Sequence, residues 1–184
     1  MKITHISHVA RPAIGGIENY IQRLNQSLTS SGHTVNVITT DLSLSNTDSP
    51  IQREENTRYC KTTGSLYRNP FSLELFQRIR ESDADIYHLH GTEFLPTLEA
   101  VAALPNDATI VLTIHGVQNP EETIPQQLLH RLYHPFAQYI LNRMDRIIVL
   151  GSSERTRLLN RFNVDPARVQ VIPNGIVTAD HDVS

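Results

Sequence analysis

Short apolar runs alternating with amphipathic helical patterns predict an α/β fold: one Rossmann-like domain, with a mostly parallel twisted sheet of about six to seven strands and helices on both faces. The alternation fills 184 residues, the length of one domain with a sizeable core. The two most hydrophobic runs, TIVLTIH and RIIVL, read as central strands buried on both faces. The domain is expected over 1–175, and 176–184 reads as a tail of little apolar content that leads away from it.

Taken in order, Lys2 to Val9 opens as a strand. Ile17, Tyr20, Ile21, Leu24 and Leu28 then fall at i, i+3, i+4, i+7 and i+11, one apolar helical stripe. Gly32 stands where a C′ glycine ends a helix. Thr34 to Thr40 reads as strand two. Asp41 to Asn56, rich in Ser, Asn, Asp and Thr without a period, predicts a surface loop. Further strands are expected at Thr57 to Thr62, Ile86 to His90, Thr109 to His115, Arg146 to Leu150 and Val169 to Ile172. Helices are expected at Leu73 to Arg80, Glu93 to Leu104, Gln126 to Asn142 with an interruption near Pro135, and Ser153 to Phe162 with Ser153 as cap.

Composition excludes more than it assigns. Sixteen basic against 19 acidic residues give a formal charge of −3, which offers no global field for nucleic acid or membrane. A single cysteine, Cys60, forms no internal disulfide and reads as an inert small hydrophobe. No apolar run approaches the roughly 20 residues of a membrane span. The first residues, MKITHISHVA, carry two histidines where a signal peptide needs an apolar stretch, so a cytoplasmic location is the expectation.

Two features point to chemistry. Gly15 and Gly16 stand directly before the first helix, whose free N–H groups favour an anion and whose Cβ-less backbone lets one approach. A plain tight turn is the competing reading. A dinucleotide fingerprint fails on glycine spacing, which leaves Asp41, at the end of strand two, a loop residue. The second feature is a histidine set at strand C-terminal ends, where open α/β sheets bind ligands. His88 and His90 share one strand face, and His115 ends another strand just before Gly116. His130 and His134 are spaced i, i+4 as a zinc pair would be, but Arg131 replaces the zincin glutamate and no third ligand stands out, so no metal is expected. GSSER around Ser152 is no nucleophile elbow.

In order and spacing, GGIENYIQRLNQSLTSSGHTVNVIT, DIYHLHG, TIHG, RIIVLGSSE and VQVIPNGI resemble the retaining glycosyltransferases of GT-B architecture, in family four, along nearly the whole chain. The resemblance implies the acceptor-side, N-terminal domain of a transferase that moves a sugar from a nucleotide-diphosphate donor to an acceptor hydroxyl with retention. It places the Gly16 amide near the diphosphate, His115 at the transferred sugar, His88, His90 and Gly116 at the cleft, and Pro173, Asn174 and Gly175 in the interdomain crossover. Val177 departs from the acid the family carries there. No cofactor is implied; the nucleotide-diphosphate sugar is a substrate.

A C-terminal donor-binding domain, or a partner chain supplying it, is expected beyond Gly175, without which this chain is inactive. The alternative is a non-catalytic α/β binding module, or a subunit needing such a partner. The acceptor, a glycan, lipid-linked or a small molecule, is expected near Arg11 to Ile14, Asp41 to Asn56 and Asn119 to Gln127. The mildly basic region of His130, Arg131, His134, Arg143 and Arg146 reads as a packed helix with a solvated face, or as a contact with anionic lipid at the inner face of the membrane.

Overall fold

In a computed structural model, which describes residues 1–13, 15–44, 55–66, 69–116 and 124–175 (side chains of 43, 44 and 124–130 excepted), strand and helix alternate as the apolar pattern requires. The elements are β1 (Lys2–Ile6), α1 (Gly16–Ser30), β2 (Thr34–Thr40), β3 (Thr57–Cys60), β4 (Gly64–Leu66), β5 (Asn69–Phe71), α2 (Leu73–Glu81), β6 (Ile86–His90), α3 (Leu95–Ala103), β7 (Ile110–Ile114), α4 (Ile124–Asn142), β8 (Arg146–Val149), α5 (Ser152–Arg161) and β9 (Val169–Val171). Seven strands form one sheet in the order β3-β2-β1-β6-β7-β8-β9, every pairing parallel. The chain steps outward from β1 in one direction and from β6 in the other. The β1/β6 boundary is therefore the topological switch point, where the connecting loops part and leave a crevice at the C-terminal strand ends.

Alternation along the strands sorts side chains onto two unequal faces. Ile6, Ile38, Leu89, Leu112, Ile114 and Val149 point into the main core, which Leu75 and Ile79 of α2, Val101 of α3, Ile140 and Leu141 of α4 and Leu158 of α5 complete. The opposite face carries a smaller cluster in which Ile17, Tyr20 and Ile21 of α1 meet Ala10 and Val37. This asymmetry corrects the expectation that β7 and β8 are buried on both faces: Val111 and Ile148, on the α1 side, are only half-buried.

Three local expectations also change. Gly151, not Ser153, is the N-cap residue of α5, and it makes no side-chain cap bond. The third helix begins at Leu95 behind Phe94, because Pro96 suits a first helical turn. α4 runs through Pro135 without a break. Pro135 and Arg131 both lie on the exposed face, where water can take the carbonyl that loses its amide partner. Gly32 does end α1, with φ +82° just past the Ser31 cap. Of the 41–56 loop, residues 41–44 form a short 3-10 turn and 45–54 lie outside the described residues, as do Ile14, 117–123 and the tail 176–184 with Val177.

Candidate functional site at the switch point

Register brings the histidines together. His5 of β1 pairs with His88 of β6, so both project to the α1 face, and His90 follows two residues on. Thr113 of β7 is in register with His90, which puts His115 on the same face one step beyond the strand end. The rings form a ladder: centroids lie 4.9 Å apart for His5–His88, 4.5 Å for His88–His90 and 5.3 Å for His90–His115. Tyr20, one turn into α1, sets its ring edge against His115 at 4.9 Å and against His90 at 5.9 Å. His8, in the loop after β1, stacks on Phe94 at 3.5 Å.

Hydrogen bonds fix most of these rings. His5 Nδ1 meets His90 Nε2 at 3.0 Å, and His90 Nδ1 meets His115 Nε2 at 3.1 Å. His88 Nε2 pairs with Thr113 Oγ1 at 2.7 Å. His5, His88 and His90 are buried, and burial disfavours the imidazolium. It pushes His5 down to about 4, and His88 and His90 well below the usual range, with neighbouring histidines adding to it. Burial likewise takes His115, at the mouth of the group, down to about 4. Burial first and the nearby His115 second hold His8 at about 4. These are neutral imidazoles at neutral pH, each with one donor and one acceptor nitrogen.

His5, His88 and His90 each have a ring nitrogen within 4.8 Å of the others, a spacing that admits a metal ion. A nitrogen that meets another nitrogen at 3.0 Å shares a proton, and ligation would remove that proton and its hydrogen bond. The sequence reading, which looked for metal at His130 and His134, passed over this group. His134 is committed elsewhere: its Nε2 contacts the Arg161 carbonyl at 3.1 Å and its ring stacks on Phe162. The His130 side chain lies outside the described residues.

At the Gly-Gly turn the two glycines differ. A Cβ on Gly15 would stand 2.3 Å from Glu18 Oε2, because the buried Glu18 side chain folds back over the N-terminus of α1. A Cβ on Gly16 meets no described atom within 4 Å. Glu18 went unnoticed in the sequence. Its carboxylate already faces part of the helix dipole, so the open approach to the first amides is on the Gly16 side. That side belongs to a groove of ≈ 770 Å³ between α1 and the exposed segment Ile172–Gly175, which brings Asn174 opposite Gly16 and Tyr20. Gly116 borders a different, apolar pocket of ≈ 60 Å³ between α4 and α5, too small for a sugar.

The residues set aside in the sequence stay outside the site. Asp41 Oδ1 accepts from the Thr62 amide at 2.9 Å and its hydroxyl at 2.5 Å. Cys60 is fully buried, and that burial pushes its thiol up to about 12, out of nucleophilic range.

Known proteins resemble this chain in sequence and in fold. The family model described as Glycosyltransferase Family 4 matches residues 14–180. A curated relative, the GDP-mannose:cellobiosyl-diphosphopolyprenol alpha-mannosyltransferase of Xanthomonas campestris, is 26% identical over 188 aligned residues, covering 96% of this chain and 46% of its own length. The protein of the same name from Xanthomonas oryzae pv. oryzae is 24% identical with the same coverage. The chain thus spans about half the length of the curated relatives it matches.

Among solved structures, the UDP-GlcNAc 2-epimerase of Methanocaldococcus jannaschii superposes with a TM-score of 0.60 at 12% identity, over 95% of this chain and 46% of that one. The catalytic domain of starch synthase IV from Arabidopsis thaliana gives 0.51 at 13%, over 95% and 51%. At these identities the structures establish the fold alone, and a neighbour named as an epimerase shows that the fold does not decide the reaction. The family match does what the fold cannot, and on it the chain belongs to Glycosyltransferase Family 4.

Proposed function

We propose that this chain is the N-terminal, acceptor-side half of a retaining transferase that moves a sugar from a nucleotide-diphosphate donor to an acceptor hydroxyl. The observation that carries this reading is that His115, hydrogen-bonded to His90, packs against Tyr20 of α1, one helical turn from the open Gly16 end of that helix. Amides without a Cβ in front of them suit a diphosphate, and a neutral imidazole suits a sugar hydroxyl. The donor's leaving diphosphate would be stabilised by positioning and by fixed dipoles. His115 orients the sugar; retention asks for no base on the opposite face. The second half of the donor site belongs to a C-terminal domain or partner chain, so this chain alone is inactive.

The acceptor class we favour is a lipid-linked glycan reached from a membrane surface on the cytoplasmic side. Two findings support it. The Xanthomonas relatives are named for a diphosphopolyprenol acceptor. On α4, Leu132, Phe136 and Tyr139 stand exposed at i, i+4 and i+7 beside the exposed Arg131, an apolar stripe with a cation at its edge. Among the described residues no helix is long and apolar enough to cross a membrane, so this contact is peripheral.

Calorimetric titration of the chain with UDP-, GDP- and ADP-sugars, beside the His115→Ala variant, tests the half-site. Millimolar or weaker binding is expected for one nucleotide, weaker still in the variant. Micromolar binding that His115→Ala abolishes would mean a complete donor site on this chain, and the half-enzyme reading would fall.

A further inference from the structure

A neutral imidazole carries one N–H and one lone pair, so it donates through one nitrogen and accepts through the other. Three of the rings are joined head to tail. His5 Nδ1 faces His90 Nε2, and His90 Nδ1 faces His115 Nε2. If His5 donates from Nδ1, His90 accepts at Nε2 and must carry its own proton on Nδ1. His115 then accepts at Nε2 and keeps its proton on Nδ1. The opposite choice puts the proton on Nε2 of all three. Any mixture sets two protons or two lone pairs face to face at 3.0 or 3.1 Å in the interior, losing a hydrogen bond where it matters most.

We infer that His5, His90 and His115 are locked in one shared tautomer, and that the buried His5 and His90 are positioning residues that decide whether His115 offers the cleft an N–H or a lone pair. His5 and His90 are fully buried, and His5 Nε2 has no hydrogen-bond partner among the described residues. Among the described residues the run of rings therefore ends at His5, on the α1 side of the sheet, and its effect is to hold His115 in one state. Tyr20 packs its ring edge on His90 and His115, while His88 stacks on His90 but makes its hydrogen bond with Thr113, outside the head-to-tail chain. Only the functional meaning of the lock depends on His115 facing the donor, as proposed above; the lock itself does not.

The test is long-range 1H–15N NMR of this chain labelled with 15N-histidine at neutral pH. His5, His90 and His115 are expected to show the same tautomer, each with one nitrogen at the protonated extreme of the imidazole range and the other at the unprotonated extreme. Either uniform polarity supports the lock. Mixed tautomers, or averaged resonances at His115, overturn it. In His90→Phe the two His115 nitrogens should shift toward averaged positions; an unchanged His115 signal in a folded variant also overturns it. Should that variant not fold, His5→Phe gives the same comparison, with averaging expected at His90 and His115.

Adding Zn(II) alone is expected to leave the His5, His88 and His90 signals in place. A stoichiometric shift of all three would replace the hydrogen-bonded chain with a metal centre. None of these readings uses a nucleotide sugar, so failure of the donor titration leaves them standing, and their failure leaves the donor titration standing.

Discussion

Gly16 separates two demands that often coincide at a glycine. Its φ is not in the left-handed region, and a methyl group there meets no described atom within 4 Å, so the fold has no need of a glycine at this position. What an alanine would change is the approach of something from outside. Gly16→Ala is therefore expected to keep the melting temperature or raise it slightly, since alanine is the better helix residue by roughly 0.5–1 kcal/mol. It should also weaken donor binding about tenfold, the effect of losing close contact with one charge-assisted amide. Thermal melting beside ligand-detected NMR with the donor checks both halves, and unchanged donor binding would remove Gly16 from the site. The sequence made Gly16 a candidate but left Glu18 unread. A glutamate in a first helical turn is ordinary in a sequence, and only the fold shows it buried over Gly15.

Elements were legible where their stabilising interactions are local. β2 and β6 occupy the residues their apolar runs predict, and the other predicted strands differ by a few residues at their ends. The β4–β5 hairpin was not legible. Its strands are three residues each, and Asn69 pins it to distant chain by donating to the Glu93 carbonyl and accepting from the Leu95 amide. The histidine ladder was half legible: His88, His90 and His115 showed their strand-end positions, whereas His5 joins them only through the order β1-β6-β7. α4 carries the prediction at this scale. Leu132, Phe136 and Tyr139 are 64%, 50% and 49% exposed, so replacing all three with serine should leave the melting temperature within a few degrees. Co-sedimentation with vesicles containing anionic lipid should fall about tenfold or more, since each apolar side chain withdrawn from a membrane surface loses on the order of 1 kcal/mol. Equal sedimentation of both proteins would leave α4 without a membrane role.

For the whole molecule, the cluster of neutral histidines carries a cost that appears on acidification. An unfolded histidine takes up a proton near pH 6.5, whereas folded His5 and His115 do so only near 4, and burial holds His88 and His90 well below 6.5 as well. Between those limits the unfolded chain binds more protons, so stability that is complete above pH 6.5 is lost as pH falls toward 4. Each such group removes up to about 1.4 kcal/mol per pH unit. One group works the other way. Burial raises Glu99 to about 7 against the opposing Ser72 amide, so its folded form binds the proton first and stability rises as pH falls from about 7 toward 4.5. Glu99 is a single, partly buried carboxyl, while His5, His88 and His90 are three enclosed imidazoles of the same sign, so the histidines set the slope. Urea midpoints are expected to fall steadily from pH 7 to 5, and to fall less steeply in a folded His5→Phe variant, which has one fewer imidazole to charge. A midpoint that stays level across that range would mean the rings charge without unfolding the chain, and the switch-point histidines would then be open to water rather than sealed beneath α1.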